Sequence, residues 1–203
     1  MDNALSLIQN CINKSPYKVT VINRINHESK CDELLGITEH SALGTIVNYV
    51  GGISIENNLI RHYGGENQYG LSIREINKVE EKLPTAFKNA LVVADDMYGG
   101  IFAINIGLSK FKVGSIIYLP PDSYTWEDLN IGHSDFLEWS LLGDINLFYK
   151  SIKDKVANSN PSFDETWSFI PSLWIEAEKY NPQKIKTKKM HKIRSQMLEI
   201  YNG

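Results

Sequence analysis

The sequence predicts an α+β fold with N-terminal helices, a central and mainly antiparallel sheet, and C-terminal helices packed on it. Three observations carry this expectation. Apolar residues recur at helical spacing near both ends of the chain. Between them, short runs rich in Val, Ile, Phe and Tyr are joined by Gly, Asn and Pro-Pro-Asp turns, too brief to hold the crossovers that parallel strands need. The 203 residues, 42% hydrophobic and 22% charged, also suffice for one sizeable core without a disulfide or metal staple.

Leu5, Ile8 and Ile12 share a helical face after Asp2, a candidate N-cap, so the chain opens with a helix. Residues 18–22, KVTVI, are β-branched and read as a strand. Cys31, Leu34 and Leu35 lie on one helical face. Residues 41–50 read as a further helix, stopped by Gly51 and Gly52. Residues 52–62 read as a hairpin: Ile53 and Ile55 alternate, Asn57-Asn58 is a turn dipeptide, and Leu59-Ile60 resume. Residues 63–88 carry the least pattern. Gly64, Gly65 and Gly70 mark a mobile loop there, with a short helix within residues 73–79. These glycines lack the Lys-Ser/Thr of a P-loop and do not match the dinucleotide fingerprint.

The best-defined feature is residues 91–105, LVVADDMYGGIFAIN, which read as a core hairpin. Residues 114–119 form the next strand, Pro120-Pro121-Asp122-Ser123 a turn, and residues 124–128 lead out of it. A helix then starts at Ser134 or Asp135, where Asp135 and Glu138 resemble a capping box. Gly143 ends it, and Asp144 caps a second helix with Ile145, Phe148, Tyr149 and Ile152 at helical spacing. Residues 167–174 form an apolar, extended segment packed on the body. Met190, Ile193, Met197 and Ile200 make the docking stripe of a C-terminal helix.

Two cysteines, Cys11 and Cys31, are too few for a secreted disulfide scaffold and imply buried thiols in a reducing compartment. The opening MDNALSLIQNCINKS does not read as a signal peptide, and no apolar run is long enough to span a membrane, so a cytoplasmic location is expected. Residues 182–203 hold six bases against one acid, a net of +5, which leaves −8 on residues 1–181 of a chain whose total is −3. The expected organisation is a single globular domain over residues 1–181 and a basic amphipathic helix over 182–203. The acidic body argues against nucleic acid as a partner and suits a basic protein.

The segments LVVADDMYGGIFAIN, YLPPDSYTWEDL, IGHSDFLEWSLLGDINLFY and SFIPSLW, preceded by SALGTIVNYVGGISIENNLIRHYG, occur in an order that resembles a bacterial family known as domain of unknown function 2625. The resemblance covers about residues 41–174. Two positions depart from its pattern: Ile106 stands where a glycine is expected, and residues 153–156 lack expected tryptophans. More distantly, the strand–Asp–Gly hairpin followed by an SDFLEW helix is similar to the SUKH superfamily. Many of its members are immunity proteins that bind and neutralise bacterial toxins, often nucleases, and the analogy is at the level of fold.

Asp95 and Asp96 are the most conspicuous candidates for chemistry. Adjacent carboxylates could bind a cation or act as acid and base, but neighbours on a strand face opposite ways. Turn chemistry, with Gly99-Gly100 allowing close packing, is the simpler role. His133, Ser134 and Asp135 carry triad residue types but stand consecutively, which suits a helix start better than a triad. His27 and Cys31, four apart, have no second ligand pair. The four tryptophans, Trp126, Trp139, Trp167 and Trp174, sit in apolar patterns and read mainly as core. No catalytic residue, metal site or cofactor is assigned. The leading expectation is a non-enzymatic protein-binding domain of the toxin-neutralising kind, with Asp95, Asp96, Tyr98, Asp122 and Trp126 as its candidate surface. The alternatives are a hydrolase or metal-dependent enzyme using Asp95 and Asp96, and a small-ligand regulatory module.

Overall fold

A computed structural model describes residues 3–25, 35–77, 87–153 and 160–202. The chain is α+β. Its main sheet is a seven-stranded antiparallel meander whose spatial order follows the sequence. The strands are β1 (Val19–Ile22), β2 (Gly52–Ile55), β3 (Ile60–Tyr63), β4 (Ala90–Asp96), β5 (Ile101–Asn105), β6 (Ile116–Leu119) and β7 (Glu127–Asp128). The four-residue β2–β3 and β4–β5 connections leave antiparallel pairing as the geometric option, whereas the β1–β2 and β3–β4 connections are longer and each hold a helix. The helices α1 (Asn3–Lys14), α2 (Ala42–Tyr49) and α4 (His133–Leu142) contact one another, and His62 of β3 bonds Ser140 of α4, so this layer covers one face. The opposite face carries α3 (Ile73–Ile76), the β8–β9 hairpin (Glu165–Ile170 with Asn181–Lys186) and α7 (Thr187–Asn202). Two short helices, α5 (Ile145–Phe148) and α6 (Lys150–Lys153), follow α4.

Local chemistry explains most element ends. The Ser41 hydroxyl accepts from Gly44 N–H at 2.9 Å and caps α2. Glu56, Asn57 and Asn58 all take positive φ between β2 and β3, which suits asparagine and closes the hairpin. Asp144 caps α5 by accepting from Leu147 N–H at 3.0 Å. The helix expected at Ser134 or Asp135 starts earlier, at His133, with Gly132 as N-cap and no side-chain cap bond. Asp135 therefore sits in the first turn, where its charge meets the positive helix end.

Three expectations are revised. The glycines at 64 and 65 are buried rather than part of a mobile loop: a Cβ on Gly64 would stand 2.4 Å from the Val50 carbonyl oxygen, and Gly65 N–H donates to that same oxygen. The boundary at 181/182 falls at the start of β9, which pairs with β8 along six residues, so the basic segment enters the fold as a strand. The C-terminal helix docks on its own body, but the stripe is shifted: Thr187, Met190, His191 and Arg194 are buried, whereas Ile200 is 72% exposed. A purely apolar pattern misses this face because its inner residues include a histidine and an arginine. The expected N-cap Asp2, together with His27, Cys31 and Leu34, lies outside the described residues.

Among the described residues, no helix is long and apolar enough to cross a membrane.

Candidate functional site

The Asp95-Asp96 pair lies at the end of β4, opposite β3, with Arg61 beside Asp95 and Ile60 beside Asp96. A bulge at Val93 inserts one residue against β5 and sets which face each aspartate takes. The two side chains leave on opposite faces, so they do not form one site.

On the α7 face, Arg61 and Asp95 form a buried two-pronged ion pair, Nε to Oδ1 at 2.8 Å and Nη2 to Oδ2 at 2.6 Å. Arg61 Nη1 also donates to the carbonyls of Phe163 and Glu165, and Nη2 to that of Asp96. All five guanidinium donors are thereby used. His191 Nε2 from α7 stands 3.5 Å from Asp95 Oδ2 and 3.3 Å from the Tyr63 hydroxyl. Burial alone would raise the Asp95 carboxyl, but Arg61 and His191 outweigh it and hold it below the usual range. The cluster clamps the β8 hairpin and α7 to the sheet. Its groups are buried, so no substrate reaches them.

On the α4 face, Asp96 accepts four hydrogen bonds. Oδ1 takes Tyr98 N–H at 2.8 Å and Gly100 N–H at 2.9 Å; Oδ2 takes the hydroxyls of Tyr118 at 2.8 Å and Tyr149 at 3.2 Å. Burial pushes this carboxyl up, opposed by those donors. Gly100 is required by proximity: a Cβ there would stand 2.1 Å from Asp96 Oδ2. The carboxylate thus closes the β4–β5 turn and ties it to β6 and α5–α6. Further along this face, burial pushes His62 down to about 3 and His133 to about 4, their rings 6.4 Å apart.

The five residues expected to form a functional surface therefore separate. Asp95, Asp96 and Tyr98 are interior, because a buried arginine and a ring of hydrogen-bond donors take up the charge that would otherwise face water. Trp126 is half-buried, edge-on to Phe87 at 6.0 Å. Asp122 alone is exposed. A carboxylate pair converging with a histidine, which an Asp95/Asp96 enzyme needs, is not what these atoms form. Among the described residues, no group of three or more His, Cys, Asp or Glu is placed to hold a metal ion.

Around Asp122 the surface is distinctive. The Pro120–Ser123 turn closes with Ser123 N–H donating to Pro120 O. Arg194 of α7, buried beneath it, donates from Nη2 to the carbonyls of Pro120 and Ser123, both at 2.6 Å. Its guanidinium lies 5.3 Å from the Trp174 ring, and burial lowers its pKa to about 10. On one side of the turn, Tyr124 stacks on Tyr201 at 4.0 Å and 15°, with Trp174 at 5.6 Å. Tyr201 and Ile200 there are 55% and 72% exposed. On the other side is a cleft of about 220 Å³, lined by Tyr118, Asp122, Glu127, Phe148 and Tyr149 among others. Arg61, His191 and Tyr118 are not among the sequence candidates, and Tyr149 enters only as part of a helical apolar pattern. The available signal was a charged residue inside an apolar strand, Arg61 between Ile60 and Tyr63's neighbour His62.

The family described as "Protein of unknown function DUF2625" matches residues 1–196. The chain is 31% identical over 189 residues to the uncharacterised protein YbfG of Escherichia coli (strain K12), covering 91% of this chain and 86% of that one. It is 32% identical over 114 residues to an uncharacterised protein of Haemophilus influenzae (strain ATCC 51907 / DSM 11121 / KW20 / Rd), covering 55% of this chain and 50% of that one. With a match across nearly its whole length, and with the hairpin, turn and helix motifs in their expected order, the chain belongs to the DUF2625 family.

Proposed function

We propose that this chain is a non-enzymatic protein-binding domain whose partner is a basic protein, of the kind an immunity protein neutralises. The observation that carries the reading is the aromatic and aliphatic surface formed by half-buried Tyr124 and Trp174, from residues 1–181 with their net charge of −8, together with exposed Ile200 and Tyr201 of the basic C-terminal helix. Aromatic side chains supply contact area at low entropic cost and are enriched among interface hot spots. An acidic surface steers a basic partner and speeds association. The conspicuous ionisable residues support the same reading by being committed to one another inside the fold, which removes them from chemistry.

The test is a rescue selection. Open reading frames of the source organism are expressed one by one, with and without this chain. The expected result is a basic protein that arrests growth alone, is tolerated when the chain is present, and forms a stoichiometric complex with it. If every growth-arresting frame behaves identically in both backgrounds and no complex forms, the proposal is wrong.

A further inference from the structure

We infer that the cleft beside the Pro120–Ser123 turn is a seat for one alkylammonium or guanidinium group, occupied by a lysine or arginine side chain of the partner. This rests on the protein-binding reading above and names the contact that would anchor it.

Size is the first argument. At about 220 Å³ the cleft is smaller than the roughly 300–1,000 Å³ of drug-sized sites and suits a single side chain. The walls are the second. Phe148, 37% exposed, presents an accessible ring. Tyr149 meets it at 4.9 Å and 81°, and Tyr118 at 5.3 Å and 60°, so three aromatic rings bound the cleft at steep angles. Tyr118 and Tyr149 are buried, so the ring open to a cation through its negative face is that of Phe148. The Tyr118 and Tyr149 hydroxyls both donate inward to Asp96 Oδ2, which fixes the rings and leaves these donors unavailable to an anion.

Charge is the third argument. Asp122 and Glu127, both exposed, are the charged residues of the lining, and among the described residues no basic side chain lines the cleft. Neither carboxylate takes part in a hydrogen bond or ion pair with another described residue. Aromatic walls with two acids suit an amphipathic cation: the alkyl stem packs on Phe148 and Ile152 while the charge meets the carboxylates. Arg194 acts here as a positioning residue, since its two bonds to Pro120 and Ser123 hold the turn that carries Asp122.

The test uses the whole chain and three probes: N-acetyl-lysine methylamide, its uncharged analogue N-acetyl-norleucine methylamide, and n-butylammonium chloride. Methyl NMR of Ile152 reports occupancy. The lysine probe is expected to give a saturable shift that weakens with salt, and the norleucine probe none. Phe148→Leu should weaken the lysine probe roughly 3- to 30-fold by removing the ring. Asp122→Asn, at an exposed position that leaves the fold intact, should weaken it further and flatten the salt dependence. Equal responses to the lysine and norleucine probes, or no saturable shift, would overturn the inference. If n-butylammonium binds far more tightly than the lysine probe, the cleft serves a free amine and the side-chain occupant is wrong. If a basic partner is found and binds wild type, Phe148→Leu and Asp122→Asn alike, the cleft inference falls while the protein-binding reading stands.

Discussion

Replacing Asp95 by asparagine should destabilise the fold strongly. The change is nearly isosteric but removes the negative charge that both Arg61 and His191 face. Arg61 is fully buried, so it would keep its positive charge without a counter-ion. Breaking a buried ion pair from one side costs about 3–5 kcal/mol, because the remaining charge stays desolvated. Against a typical total stability of roughly 5–15 kcal/mol this is a large share. For a chain of this size, with about 2–4 °C per kcal/mol, the melting temperature should fall by roughly 6–20 °C. Urea titration followed by tryptophan fluorescence measures the free energy directly. The partner experiment is Arg61→Met with Asp95→Leu together. Removing both charges costs far less than removing one and can be neutral, although the Phe163 and Glu165 carbonyls lose their donor. A loss below about 1 kcal/mol for Asp95→Asn, or a double variant as unstable as the single one, would refute the clamp.

Three further outcomes follow from the same geometry. Stability should fall as pH drops below about 6.5, because the unfolded chain then takes up protons at His62, whose pKa in the fold is held to about 3; at roughly 1.4 kcal/mol per pH unit this amounts to about 2 kcal/mol by pH 5. His133, held to about 4, adds a contribution of the same sign, Asp96 with its raised pKa offsets part of it, and a flat stability profile between pH 7 and 5 would contradict the burial of these rings. Gly100→Ala should cost about 1–3 kcal/mol, since the methyl meets Asp96 Oδ2 at 2.1 Å and the Tyr118 hydroxyl at 2.5 Å, and denaturation that matches wild type would mean the turn relaxes freely. Arg194→Met should cost about 1–3 kcal/mol by leaving the Ser123 carbonyl without its donor and the Pro120 carbonyl with the Ser123 N–H alone, and urea titration would expose an unchanged variant.

The α+β class and the antiparallel sheet were legible in the sequence because their signals are local. Ser41, Asn57-Asn58 and Asp144 each act within a few residues, and strand period two places Asp95 and Asp96 on opposite faces without any tertiary knowledge. What could not be read depends on contacts between distant parts of the chain. Arg61 meets Asp95 through the β3–β4 register, 34 residues apart. Arg194 reaches a turn more than seventy residues earlier. β9, with the sequence NPQKIK, has little strand propensity and forms by pairing with β8. For the same reason Asp95, Asp96 and Tyr98 look like surface candidates in sequence, since acids are seldom fully buried unless paired, and the partners that bury them come from β3, β6, α7 and the residue after α5.

The most direct test of the account separates the interior from the surface in one binding measurement. With the basic partner recovered by rescue, its affinity is compared for wild type, Asp95→Asn kept at a temperature where it is folded, and the charge reversal Asp122→Lys with Glu127→Lys. The account predicts that the reversal weakens binding by more than about tenfold while folded Asp95→Asn binds as wild type does. Loss of binding in folded Asp95→Asn, with the reversed surface unaffected, would contradict it.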